Sequence, residues 1–142
     1  MTRTITFIIL AFLALILYLL LQPRVIYEQD SDLMARLKAD LYRVDNRSGN
    51  YNYYSSNESL TEDKRDIYLC LHDPDTGKYY DYNMLVYVSL HELAHALSPT
   101  VDENHTSLEF NNQFNQLQNR ARELGIFDPS KPLIMNYCPL RN

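Results

Sequence analysis

Five residues in the middle of the chain, His91-Glu92-Leu93-Ala94-His95, constrain its folding more than any others. Two imidazoles four positions apart share one face only when the backbone between them is helical. The flanking sequence agrees. Met84 to about Leu97 is mostly apolar, Asn83 is a suitable N-cap, and Ser98-Pro99 closes the run. An amphipathic surface helix would not ordinarily be this apolar while carrying His, Glu and His on its middle turns.

The other elements follow from periodicity and turn chemistry. Leu33, Leu37, Leu41 and Val44 recur at helical spacing behind Ser31 or Asp32 as N-cap. Asp45 to Lys64 mixes Asn, Ser, Gly and Tyr and reads as a long polar loop. Ile67 to His72 reads as a strand. Asp73-Pro74-Asp75-Thr76-Gly77 is a strong turn, and Lys78 to Tyr82 is expected to return antiparallel as a hairpin. A last helix is expected from Ser107 to Leu124, with Phe110, Phe114, Leu117, Ala121 and Leu124 inward and Gly125 as its stop. The predicted fold class is α+β. Its expected divisions are residues 1–22 as an anchor, 23–66 as a helix with a polar linker, and 67–142 as a zincin-like core of hairpin, motif helix and second helix.

The chemistry rests on the ligand preferences of zinc, which accepts neutral imidazole nitrogens tetrahedrally and can leave one position open. His91 and His95 would supply two ligands. Glu92 flanks that position without needing to ligate, so it can serve as general base toward metal-activated water. A third ligand is required. The metzincin pattern fails, because Ser98 and Val101 stand where Gly and His are needed. Glu109 or Glu123 from the following helix would give a gluzincin-like set. His105, ten residues after His95, would give three histidines, with Asp102 and Glu103 as nearby rivals. A short loop can fold His105 back onto the helix, which makes it the preferred ligand. Tyr137 and His72 are the available candidates for steadying an oxyanion. The strand Ile67 to His72 could take an extended substrate if it lies at a sheet edge.

Ile5 to Leu21 is an apolar run broken only by Thr6 and Tyr18. Its length predicts an uncleaved transmembrane anchor, and hence a single-pass protein of a virion or host membrane attached through residues 5–21. Net charge is −5 and the sequence pI about 5.2, which argues against a nucleic-acid partner. Cys70 and Cys138 are either two buried thiols or one bridge. Asn46, Asn57 and Asn104 each begin a glycosylation-type triplet, too common in Asn-rich sequence to set topology.

With His91-Glu92-Leu93-Ala94-His95, a loop to His105, and Glu109-Phe110 opening an apolar helix, the chain resembles the WLM and SprT-like zinc metallopeptidases. That resemblance implies His91, His95 and His105 as ligands and Glu92 as base. The hydrophobic N-terminus, Tyr79-Tyr80-Asp81 and Tyr137-Cys138 also make it similar to small metallopeptidase-like proteins of large DNA viruses. The expected function is zinc-dependent hydrolysis of a protein or peptide substrate. Two other classes remain: an inactive zinc-binding module, and a metal-free structural protein that uses its tyrosine-rich 42–54 segment as an interaction surface.

Overall fold

The computed structural model describes residues 2–100 and 105–138. The chain divides into two compact units, Met1–Leu33 and Met34–Asn142. Helix α1 (Thr2–Val44) spans the boundary between them. It runs straight through Ser31 and Asp32, so the expected helix start there is not a start. No cap is needed where the preceding residues are already helical.

Among the described residues no helix is long and apolar enough to cross a membrane. The expected transmembrane helix over residues 5–21 is therefore overturned, and with it the single-pass membrane localisation. The run sits at the lower limit of length for a span. At 1.5 Å per residue the apolar run covers about 25 Å, short of a ~30 Å hydrocarbon core. The same helix then continues without a break into Glu28, Asp30 and Asp32.

In the second unit, the last turns of α1 bury Met34, Leu37, Leu41 and Val44 as a stripe at helical spacing. A 3-10 turn, Asn46–Asn50, follows. It is capped by Asp45, whose carboxylate accepts from Arg47 N and grips the Arg47 guanidinium at 2.6 Å. Three strands come next: β1 (Asn52–Ser56), β2 (Leu60–Glu62) and β3 (Asp66–Cys70). The sheet order is β1-β3-β2, with β3 parallel to β1 and antiparallel to β2.

The sheet corrects two expectations. The segment read as a polar loop supplies β1 and β2, because Asn-Tyr-Tyr-Ser-Ser and Leu-Thr-Glu carry almost no apolar alternation to mark a strand. The expected hairpin after β3 shrinks to one bridge, His72↔Tyr79. The turn itself forms as expected: Asp73 Oδ1 accepts from the Asp75 and Thr76 amides, and Gly77 adopts φ +68. The strand β3 instead spends its hydrogen bonds on β1 and β2.

Ile67 and Leu69 of β3 point into the core against helix α2 (Tyr82–Leu97), which buries Leu85, Leu90 and Leu93. Its cap is Asp81, which accepts from Asn83 N, and not Asn83. Asn83 is one of the buried polar residues of α2. Its amide donates to Asp128 O at 3.0 Å and accepts from Asp128 N at 2.7 Å, pinning the chain that leaves helix α3 (Leu108–Glu123). Ser107 caps α3 by accepting from Phe110 N, and Gly125 ends it at φ +69. The fold class is α+β. Cys70 and Cys138 form a disulfide that ties β3 to the C-terminal segment, so the two-thiol alternative falls.

Candidate metal centre

The motif helix is held on both sides by the elements that complete the site. His91 and His95 occupy one face of α2, and His105 arrives from the segment before α3. Their Nε2 atoms form a triangle with sides of 3.1, 3.3 and 2.9 Å. Among the described residues these three form the only group of His, Cys, Asp and Glu side chains placed to hold a metal. Two ligands each 2.0–2.1 Å from a tetrahedral zinc would stand about 3.3 Å apart, so the triangle has nearly the dimensions such an ion requires. Three imidazole nitrogens aimed at one point also repel unless a cation or protons lie between them, which makes the donor set fit zinc on chemistry as well as on size.

Phe110 forms the floor. It is buried at 2% exposure, stacks on His95 at 4.4 Å between centroids and meets His91 edge-on at 5.2 Å. This explains the fixed ring orientations: the aromatic is buried for packing, and the imidazoles lie against it. His105 takes a left-handed backbone, φ +55, which is uncommon for a residue with a side chain. Its carbonyl accepts from Asn111 Nδ2 at 3.1 Å, so α3 holds it in place.

Glu92 is buried beside this triangle, at 6% exposure. Its Oε2 accepts from the Thr61 hydroxyl at 2.8 Å, and that hydroxyl also reaches Glu92 O at 2.9 Å. Burial raises the Glu92 carboxyl to about 7, with the Thr61 bond working against the rise. Burial also lowers His91 to about 4, helped by His95 and His105. A carboxyl that exchanges its proton near neutrality is suited to general acid–base work. A neutral His91 imidazole is in the form that binds metal.

The remaining expected participants lie elsewhere. Glu109 Oε2 accepts from Thr100 Oγ1 at 2.9 Å, and Glu123 pairs with Arg120 at 3.4 Å. Asp102 and Glu103, like Asn104, fall outside the described residues. The Tyr137 hydroxyl donates to Cys70 O and lies 3.0 Å from Ser59 Oγ, and burial raises it to about 12. His72 packs on Tyr79 at 4.2 Å.

A cleft of about 650 Å³ opens over the histidines and is lined as well by Leu60, Thr61 and Lys64. The strand expected to receive a substrate, Ile67 to His72, is central and paired on both sides through β3, so it is not the available edge. The edge strand beside the cleft is β2. Sequence reasoning missed Thr61 and Lys64. Three strand residues and a three-residue turn leave almost no periodic trace, and only the β-branched Thr61 hinted at a strand.

No protein-family model matches the chain, and no solved structure does. The chain is similar to proteins of large DNA viruses. It is 43% identical over 84 residues to an uncharacterized protein of Invertebrate iridescent virus 6, covering 58% of this chain and 46% of that protein. It is 43% identical over 83 residues to an uncharacterized protein of Invertebrate iridescent virus 3, covering 50% of it. An uncharacterized protein of Acanthamoeba polyphaga mimivirus is 49% identical over 51 residues, 25% of its length. The matched part of this chain thus spans half or less of each viral protein it resembles.

Proposed function

We propose that this chain is a zinc-dependent peptidase of the WLM and SprT-like kind, with His91, His95 and His105 as ligands and Glu92 as general base. The observation that carries the reading is the close Nε2 triangle set beside a buried carboxyl raised to about 7. A bound zinc ion would supply Lewis acidity, polarising a scissile carbonyl and making water a nucleophile near neutral pH. The chain's own residues do the rest. Glu92 takes up a proton from the attacking water and returns it to the departing amine. Thr61 keeps the carboxylate turned toward that task.

Phe110 packs against all three imidazoles, which favours ligands set before a metal arrives. An extended peptide would lie along β2, whose outer edge has no strand partner among the described residues. The test is zinc content by mass spectrometry on purified protein, beside His95→Ala and His105→Ala. One zinc per chain in the wild type, and none or a loosely held ion in both variants, supports the reading. Hydrolysis of a peptide library, absent in Glu92→Gln with zinc retained, would complete it. A folded wild type without zinc would refute it.

A further inference from the structure

Resting on that metal reading, we infer that Lys64 is a positioning residue for the metal centre, tying the end of α2 to Thr100 and, through Glu109, to the start of α3, which holds His105. Lys64 lies in the β2–β3 turn, far in sequence from either ligand-bearing element. Its ammonium donates to three backbone carbonyls: His95 O at 3.0 Å, Thr100 O at 2.8 Å, and Ser98 O. All three ammonium protons are therefore committed to one short stretch of chain. That stretch begins at the second zinc ligand of α2 and ends five residues before the third.

The arrangement ends α2 as well as gripping the loop. The last carbonyls of a helix have no partners within it, and they carry the negative end of its dipole. A cation there is favourable, but a capping role alone would need only the His95 and Ser98 carbonyls. The bond to Thr100 reaches beyond the helix. Thr100 is fastened a second time through its hydroxyl to Glu109, and His105 O is held by Asn111. Thr100 is thus fastened to the sheet by Lys64 and to α3 by Glu109, while His105 is fastened to α3 by Asn111. Held by Asn111, His105 keeps its left-handed backbone.

The turn itself argues that the side chain is what matters at position 64. Asp63 and Lys64 have φ of 49 and 51, and Arg65 N donates to Glu62 O at 3.0 Å, which makes a primed turn. Both central positions of such a turn favour Asn or Gly. A lysine there is strained, and glycine would relax the backbone at once. What glycine lacks is the ammonium.

The experiment uses the full chain in four forms: wild type, Lys64→Gly, His105→Ala, and the double variant. Zinc affinity is measured by competition with a chromophoric chelator, and cobalt substitution reports the number of nitrogen ligands from its visible spectrum. Groups that orient metal ligands without touching the metal commonly change affinity about 10–100-fold. The expected result is a loss of that size for Lys64→Gly, with a cobalt spectrum shifted toward that of His105→Ala. In the His105→Ala background, Lys64→Gly should change affinity by less than about twofold, because the ligand it places is gone. An equal loss in both backgrounds, or none in either, overturns the inference, since a residue acting only on general stability shows no such dependence on His105. If Lys64→Gly does not fold by circular dichroism, Lys64→Asn, which also tolerates the left-handed backbone, decides by the same comparison. Wild type that takes up no zinc overturns both this inference and the metal reading. Zinc-binding wild type with an unchanged Lys64→Gly overturns this one alone.

Discussion

Replacing Glu92 by glutamine should make the metal-free protein more stable at alkaline pH while slowing hydrolysis by the zinc-loaded protein. Glu92 is 6% exposed, and its carboxyl is raised from 4.5 to about 7 in the fold. A folded-state pKa above the unfolded one means the native state binds the proton more tightly. The stability this contributes is complete below about pH 4.5 and is lost as pH climbs through 7. At 1.36 kcal/mol for each pH unit between those values, the charged carboxylate costs the apo fold about 3 kcal/mol at pH 8.

Glutamine has nearly the same shape, cannot ionise, and still offers an oxygen to the Thr61 hydroxyl. Glu92→Gln should therefore match wild type within about 1 kcal/mol at pH 4 and exceed it by roughly 2–3 kcal/mol at pH 8. Urea unfolding of the full chain in chelator at both pH values measures this. The lowered His91 pKa acts equally in both proteins and cancels in the difference. An effect of the same size at pH 4 and pH 8 would refute the desolvation argument. With zinc present, loss of the base should reduce turnover by about 10²–10⁴-fold.

Thr61→Val removes the one hydroxyl that reaches the Glu92 carboxylate. It should cost about 1–2 kcal/mol and raise the Glu92 pKa further, moving the acid limb of the pH–rate profile upward. Phe110→Ala should destabilise the fold by about 3–5 kcal/mol and loosen zinc as well, because the ring packs on His91 and His95; thermal unfolding and chelator competition separate the two effects. Cys70→Ser opens a loop closed across a sequence separation of 68, and should lower stability by about 4 kcal/mol in denaturant titrations. A Cys70→Ser protein as stable as wild type would show that the unfolded chain gains little freedom from losing the bridge.

The helices were legible where they carry long periodic patterns. Phe110, Phe114, Leu117 and Ala121 are all buried on α3 as their spacing implied. The 91–95 pattern needs helical geometry, and α2 provides it. Failures came where the signal was local or ambiguous. Asn83 is a good cap by type, yet Asp81 two residues earlier takes that role and Asn83 serves a long-range bond to Asp128. The β1 and β2 strands were hidden in polar sequence because their stability comes from pairing with β3. The apolar N-terminal run reads as a membrane span by its length, yet among the described residues no helix is long and apolar enough to cross a membrane. Lys64 could not have been foreseen, because its function depends on a sheet bringing a turn beneath the end of a distant helix.

The Cys70–Cys138 bond closes a covalent ring around the candidate chemistry. His91, Glu92, His95, His105 and Phe110 all lie inside that ring, while Thr61 and Lys64 lie outside it. A single nick anywhere between residues 71 and 137, whether by a contaminating protease or by the protein acting on itself, therefore leaves one molecule joined through sulfur. Electrophoresis without reductant would show full-length mass, and the two fragments would separate only after reduction.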